Sequence, residues 1–149
     1  MHLNEPLVSV IINCHNGEKY LKEAIQSVFN QTYKNWEIIF WDNLSSDNSK
    51  IIINDFNKDK IKYFKSEKFL SLYDARNKAI KKARGSLIAF LDTDDWWCKD
   101  KLEKQVNIFK KNETLSLVYS NCFIYNEFTK KKKFLSKKNY HKVKLPVIY

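Results

Sequence analysis

The sequence predicts an α/β fold with a mostly parallel sheet flanked by helices. Short apolar runs alternate with stretches whose apolar residues recur at helical spacing, and polar turn residues separate the two. Strands that alternate with helices in this way are typical of βαβ units, whose strands run parallel. The chain has 149 residues, the usual length of one domain with a substantial core.

The elements follow from these patterns in chain order. A helix with one apolar face follows the first run, and a weaker helix over residues 46–56 follows the second. An alanine-rich helix comes next, and we expect Gly85 to close it as a C-cap. A last helix places Leu102 and Val106 inward. The candidate strands are the five apolar runs at residues 7–12, 36–41, 61–64, 87–91 and 115–125.

Composition argues against several classes of protein. No apolar run approaches the roughly 18 residues of a membrane span, and the N-terminus lacks the pattern of a signal peptide. The three cysteines, Cys14, Cys98 and Cys122, have no CxxC spacing. We therefore expect a reduced, cytoplasmic setting, with each cysteine as a small core residue beside an apolar run.

The positive charge is concentrated near the C-terminus. Residues 128–144 contain eight lysines and no acid, so of the net charge of +10 only +2 belongs to the rest of the chain. We divide the chain into a domain at 1–127 and a lysine-rich tail at 128–149. The tail is either a contact for anionic lipid or nucleic acid, or a solvated hairpin or frayed end.

Three acids follow the fourth apolar run. Asp92, Asp94 and Asp95 repel one another, and a divalent cation is what tolerates such a cluster. Hard carboxylate ligands suit Mg²⁺ or Mn²⁺, which keep waters and complete their shell with substrate phosphates. The alternative is a solvated acidic turn that caps the following helix.

Polar residues also follow two other predicted strands, at 13–16 and at Asp42 and Asn43. Ligands of open parallel sheets bind beyond the carboxyl ends of the strands, where these groups would meet. Such an edge suits a nucleoside diphosphate. The chain has two glycines and neither G-x-G-x-x-G nor a Walker A motif, so a metal must hold the phosphates.

Between about Pro6 and Val118, a set of motifs in one order and spacing resembles the family 2 glycosyltransferases of the GT-A fold. That fold is a Rossmann-like, mostly parallel sheet flanked by helices. The resemblance implies inverting transfer of a sugar from a nucleotide-sugar, commonly a UDP-sugar, to an acceptor hydroxyl. The motifs lie at residues 8–12, 16–21, 27–33, 41–43 with 45–47, 75–77 and 89–95.

The resemblance also implies roles for single residues. Asn13 and His15 would flank the nucleobase, although His15 is equally compatible with an ordinary loop residue. Asp42 or Asn43 would accept a hydrogen bond from the base N–H. Arg76 would lie near the base or diphosphate. The acids complete the set: Asp92 near the ribose and a candidate metal ligand, Asp94 on the Mn²⁺ or Mg²⁺, and Asp95 supporting the metal or facing the donor sugar.

The expected partners are a nucleotide-sugar donor and a saccharide or lipid-linked acceptor, with no nucleic acid. The tail suggests peripheral contact with the inner face of an anionic membrane. In the family, the general base lies in the acceptor-binding half, downstream of the residues of this chain, so we expect the domain at 1–127 to be incomplete on its C-terminal acceptor side. After Asp100 the acids are Glu103, Glu113 and Glu127, and none has a motif that marks a base. There are two alternative functions. One is a nucleotide-sugar-binding module without turnover, and the other is a basic protein that binds nucleic acid or an anionic surface.

Overall fold

The computed structural model describes residues 5–112 and 114–135. Within that part, four parallel strands form a sheet in the order β3-β2-β1-β4, and two antiparallel strands form a hairpin. The mostly parallel α/β fold is therefore confirmed. The elements are β1 (Val8–Cys14), α1 (Glu18–Phe29), β2 (Trp36–Asp42), α2 (Ser49–Asn54), β3 (Ile61–Lys65), α3 (Leu72–Ile80), β4 (Leu87–Phe90), α4 (Lys101–Lys111), β5 (Phe123–Asn126) and β6 (Lys131–Phe134).

Helices cover both faces of the sheet. Successive side chains of β1 point to opposite faces, so Val10 and Ile12 pack toward α1 and α4, while Ile11 packs toward α3. Ala75 and Ala79 of α3 are small and almost fully buried, which lets this helix lie close to the sheet. Coverage on both sides explains why β1 and β2 appear in the sequence as nearly continuous apolar runs.

Gly85 does not cap the third helix, so that prediction was wrong. Helix α3 ends at Ile80, and its C-cap Lys81 is right-handed. Gly85 instead enters β4, where its N–H donates to the Ser9 hydroxyl at 2.8 Å. A Cβ at this position would lie 2.5 Å from the Leu7 carbonyl oxygen. Glycine is needed here because β4 approaches the backbone of β1 closely.

The last apolar run was predicted as one strand over 115–125, and this is wrong for most of its length. Only Phe123–Asn126 forms a strand, paired with Lys131–Phe134. Residues 115–120 instead line a groove of about 840 Å³ beside the outer edge of β4, and no described strand pairs with them. The second helix is also shorter than predicted, at Ser49–Asn54.

The hairpin crosses the predicted boundary between domain and tail. Its turn spans residues 127–130, so the first lysines of the tail belong to β6 and its turn. Residues 128–135 belong to this hairpin, and their side chains are all exposed. Residues 136–149 lie outside the described residues.

Only one cysteine is a core residue. Cys14 is buried, which raises the pKa of its thiol, whereas Cys98 and Cys122 are exposed and the prediction for them was wrong. The backbone carbonyl of Cys98 nevertheless points inward, where it accepts a hydrogen bond from the buried Gln31 amide. None of the helices in the described ranges is long and apolar enough to cross a membrane.

Candidate functional site

Three loops meet beyond the carboxyl ends of the strands. Because β1 lies between β2 and β4, the turn that follows it, at 15–17, lies between the other two loops. The Asn43 N–H donates to the Cys14 carbonyl at 2.7 Å on one side. On the other side, a Cβ at Gly17 would lie 3.1 Å from Thr93. Thr93 belongs to the acidic loop, which follows β4 and carries Asp92, Asp94 and Asp95. The polar clusters predicted to share one sheet edge are thus adjacent.

Asp42 and Asn43 are tied into the protein by their own side chains. Asp42 is almost fully buried, and its carboxylate accepts from the Ser45 N–H at 2.7 Å and the Tyr63 hydroxyl at 2.5 Å. Burial raises the pKa of Tyr63, and the hydrogen bond to Asp42 raises it further. The Asn43 amide pairs with the backbone of Leu70, accepting from its N–H at 3.0 Å and donating to its carbonyl at 2.9 Å. Both residues therefore shape the loops of the site.

Asn13 lies near the end of β1, and His15 lies in the turn that follows the strand. The Asn13 side-chain nitrogen is buried and has no hydrogen-bond partner among the described residues, so it is a donor available to a ligand acceptor. His15 is exposed, and its Nδ1 lies 2.9 Å from the Asn43 carbonyl, which requires the proton on Nδ1. Its ring packs edge-on against Phe69 with centroids 4.8 Å apart. His15 and Phe69 thus form an aromatic wall beside Asn13.

The first two loops are held together by side-chain to backbone hydrogen bonds. Asn16 has a φ of 53° and accepts from the Ser46 N–H at 2.8 Å. Glu18 accepts from the Asn48 N–H at 2.9 Å, and Asp47 accepts from the Glu18 N–H at 2.8 Å. Asn tolerates the left-handed backbone conformation better than most residues. Asn16, Glu18 and Asp47, which lie in the motifs shared with the family, therefore hold the loops after β1 and β2 together.

Arg76 and Asp92 form an ion pair across the site. The Arg76 guanidinium donates to the Asp92 carboxylate at 2.6 Å and lies 5.6 Å from the centre of the Phe90 ring. The pair joins α3 to the loop after β4. Asp92 is exposed, so solvent weakens the pair, and a ligand can reach both partners.

Asp94 and Asp95 are exposed and accept no hydrogen bond from another described residue. Partial loss of hydration raises the pKa of the Asp95 carboxyl, and the charges of Asp94 and Asp92 raise it further. In residues 5–112 and 114–135, no group of three or more His, Cys, Asp or Glu is arranged to hold a metal ion. Two unpaired carboxylates that repel each other nonetheless fit Mg²⁺ or Mn²⁺, which take one or two protein carboxylates and fill their shell with water and phosphate oxygens.

The structure adds residues that the sequence patterns did not reveal. The acids line a cavity of about 490 Å³ together with Trp96 from the same loop and Tyr125 and Lys132 from the hairpin. Trp96 directly follows the acids in the sequence, which is the one local signal for it. The hairpin residues had none, because only the tertiary fold brings the hairpin to the acids.

Two of the acids after Asp100 have partners in the structure. Glu103 accepts from the Thr32 hydroxyl at 2.8 Å. Glu127 accepts from the Tyr20 hydroxyl at 2.9 Å, and that hydrogen bond, followed by the charge of Lys19, lowers its pKa. Glu113 lies outside the described residues. Glu127 is thus held as an ionised hydrogen-bond acceptor beside the cavity.

Comparisons with known proteins agree with this geometry. The family model described as glycosyl transferase family 2 matches residues 9–146. The Escherichia coli protein WfgD, named as a UDP-Glc:α-D-GlcNAc-diphosphoundecaprenol β-1,3-glucosyltransferase, is 40% identical over 124 residues, which are 83% of this chain and 49% of WfgD. TuaG of Bacillus subtilis, a putative teichuronic acid biosynthesis glycosyltransferase, is 40% identical over 104 residues, 68% of this chain and 41% of TuaG. The chain therefore spans about half the length of these relatives or less.

Solved structures show the same fold. Residues 1–349 of S. aureus TarS in complex with UDP align with a TM-score of 0.68 and 26% identity, over 71% of this chain and 32% of TarS. A mannosyltransferase from Pyrobaculum calidifontis, in complex with GDP-Man and Mn²⁺, aligns with a TM-score of 0.66 over 70% of this chain and 32% of the other, and at 21% identity it supports the fold alone. With the family model covering most of its length, the chain belongs to glycosyl transferase family 2.

Proposed function

We propose that this chain forms the donor-binding part of a glycosyltransferase. It would bind a nucleotide-diphosphate sugar, a UDP-sugar, together with Mn²⁺ or Mg²⁺, for inverting transfer to a glycan or lipid-linked acceptor hydroxyl. The observation that carries the proposal is the pair of unpartnered carboxylates, Asp94 and Asp95, in the loop that packs against the turn after β1. The unpaired Asn13 amide nitrogen lies at the end of that strand. Relatives named for UDP-Glc transfer and a structural neighbour bound to UDP support the choice of nucleotide.

The contacts of the residues support a proposed role for each. Asn13 would donate to a base carbonyl beside the aromatic wall that contains His15. Asp42 is enclosed by its own partners, so the base N–H falls to Asn43, whose carbonyl oxygen keeps a second lone pair. Arg76 and Asp92 would exchange part of their ion pair for contacts to the diphosphate and the ribose.

Asp94, with Asp92, would hold the metal, and Asp95 would support the metal or face the donor sugar. When bound, the divalent ion neutralises the charge that develops on the departing diphosphate. The chain's own donors, such as the Arg76 guanidinium, would stabilise that charge without reorganisation, while the carboxylates would hold the metal.

Replacement of Asp94 tests the proposal directly. We expect Asp94→Ala to abolish Mn²⁺-dependent UDP binding, measured by calorimetry with Mn²⁺ and with chelator. The metal-free variant should unfold at a slightly higher temperature than the wild type, because repulsion within the acid cluster is relieved.

Asp59→Ala is the matched control, because Asp59 is an exposed aspartate before β3, away from the acidic loop. Metal-dependent UDP binding that survives in Asp94→Ala would remove the acid cluster from the mechanism. Release of UDP from a UDP-sugar then separates a transferase from a module that binds without turnover.

A further inference from the structure

A cavity of about 490 Å³ lies between α1, the acidic loop and the β5–β6 hairpin. It is lined by charged residues of both signs: Glu23 of α1, Asp94 and Asp95 of the acidic loop, and Glu127, Lys130 and Lys132 of the hairpin. The donor roles proposed above use Asp94 and Asp95 but neither lysine. Asn13 is not among the residues that line the cavity, so the cavity extends the site beyond the residues proposed for the nucleobase.

The hairpin register selects which lysines face this cavity. Lys132 is the cross-strand partner of Tyr125, and both line the cavity. Side chains alternate along a strand, so Lys131 and Lys133 point to the other face of the hairpin and are not part of the lining. Lys130 has a φ of 54° in the hairpin turn, which brings it to the same side as Lys132. Two of four consecutive lysines are thus directed at the site.

Aromatic rings form the wall between the acids and the lysines. Trp96 and Tyr125 pack edge to face with centroids 5.4 Å apart, and the Lys132 ammonium lies 5.4 Å from the centre of the Trp96 ring. Trp96 keeps 36% of its surface exposed. Large, partly exposed rings in a polar cavity suit a ligand that has an apolar face and polar edges, as a sugar ring does.

The hairpin is anchored at this position by helix α1. The Glu127 carboxylate in its turn accepts from the Tyr20 hydroxyl at 2.9 Å and lies 3.4 Å from the Lys19 ammonium. Tyr20 and Lys19 are the main causes of the lowered pKa of Glu127, and the charge of Lys130 contributes less. The two lysines have no carboxylate within ion-pair distance among the described residues. Their charge is available to an external anion.

We propose that this cavity is the acceptor subsite and that it selects a sugar carrying a phosphate. The sugar ring would rest on Trp96 and Tyr125 with a hydroxyl toward the acids, and the phosphate would bind Lys130 and Lys132. This inference rests on the proposed function, because it takes the acids as the donor side. The same lysines are close enough to the acids that the donor diphosphate is the competing source of the anion.

Two double variants separate these sources. Lys130→Gln/Lys132→Gln removes the charges that face the cavity, and Lys131→Gln/Lys133→Gln removes the same charge from the opposite face. Binding of glucose 1-phosphate and N-acetylglucosamine 1-phosphate is measured by NMR titration in the presence of UDP and Mn²⁺. The free sugars and inorganic phosphate are the reference ligands, and UDP binding is measured separately by calorimetry.

We expect the first variant to weaken binding of a sugar phosphate about 10-fold or more, as loss of charge-assisted hydrogen bonds does. The second variant should stay within about twofold of the wild type, and UDP affinity should be unchanged in both. Trp96→Phe should weaken free sugar and sugar phosphate equally, which separates the ring contact from the phosphate contact.

Three outcomes would overturn the inference while leaving the donor site intact. The first is an equal loss of affinity in the two double variants. The second is that sugar phosphates bind the wild type no tighter than free sugars do. The third is a loss of UDP affinity in the first variant, which would assign the lysines to the donor diphosphate. Failure of the wild type to bind UDP with Mn²⁺ would instead contradict the proposed function itself.

Discussion

Glu37 is a buried carboxylate at the end of the sheet opposite the acids. It accepts from the Ser9 hydroxyl at 2.8 Å and from the Arg84 N–H at 2.8 Å, and the Lys62 ammonium lies 2.9 Å away. Burial by itself would raise its pKa, but the hydrogen bonds from Lys62, the Arg84 backbone and Ser9 outweigh that effect and lower the pKa to about 2. The ionised form of Glu37 therefore joins β1, β2, β3 and the segment before β4.

This arrangement predicts a pH-dependent contribution to stability. The folded pKa of about 2 lies below the ordinary value of 4.5, so Glu37 stabilises the fold above pH 4.5 and loses that effect as the pH falls toward 2. Glu37→Gln should lower the free energy of unfolding at pH 7 by roughly 1–3 kcal/mol, since it leaves buried donors poorly paired. Urea unfolding of both proteins from pH 7 to pH 2.5 measures the difference.

The difference between wild type and variant should shrink below pH 4.5. Glu67→Gln is the control, because Glu67 is exposed and away from this cluster. A difference that stays constant from pH 7 to pH 2.5 would show that the effect comes from packing and not from the charge of Glu37.

At the scale of elements, the end of α1 holds the segment that follows the acids. Gln31 is fully buried, and its amide donates to the carbonyls of Ser27 and Cys98 at 3.0 and 2.9 Å while accepting from the Leu102 N–H at 3.0 Å. Gln31 thereby satisfies an N–H in the first turn of α4, which has no side-chain cap of its own. One amide thus joins α1, the loop after the acids and α4.

Gln31→Leu should therefore affect both stability and binding. It keeps the volume but leaves buried backbone groups unpaired, so we expect a loss of roughly 2–4 kcal/mol in the free energy of unfolding. Faster hydrogen exchange at residues 97–102 and weaker Mn²⁺-dependent UDP binding should accompany it, although Gln31 lies behind the acidic loop. Chemical denaturation, hydrogen exchange and calorimetry measure these effects.

Gln26→Leu is the control on the same helix, because the Gln26 amide is exposed and bonds only to Asn30 at the surface. It should change stability by no more than about 0.5 kcal/mol. If Gln31→Leu weakened the fold but left hydrogen exchange at 97–102 unchanged, the amide would be a core group with no role in positioning the loop.

At the scale of the whole molecule, the site and the end of the chain should behave independently. Every donor residue proposed above lies between Asn13 and Asp95, and the hairpin is complete at residue 135. Deleting residues 136–149 should leave UDP binding with Mn²⁺ within about twofold of the wild type. It should weaken binding to anionic vesicles at low salt, by at most about 1 kcal/mol for each lysine removed.

Vesicle co-sedimentation and calorimetry on the shortened and complete chains test this expectation. Loss of UDP affinity on deletion would place part of the donor site in the tail. Absence of vesicle binding by the complete chain would identify the tail as a solvated end and remove the expected membrane contact.

Local patterns in the sequence were enough to predict the strands of the parallel sheet and the helices that pack on it. The runs that became β1 and β2 are buried on both faces, and that requirement leaves an uninterrupted apolar signal. The acids after β4 were equally visible, because three close carboxylates are costly without a cation. Parallel topology then implied that Asn13, Asp42 and Asp92 share one edge, as they do.

Only the tertiary structure decided which of these groups are free to bind a ligand. Asn43 and Asp42 look alike as polar residues after a strand, yet one pairs with the Leu70 backbone and the other is enclosed by Tyr63 and Ser45. The local sequence predicts Gly85 as a helix C-cap, whereas in the structure Gly85 allows β4 to approach β1 closely. The selection of Lys130 and Lys132 depends on the register of a hairpin and on its contact with α1. Contacts between residues far apart in the chain decide each case, and no local pattern encodes them.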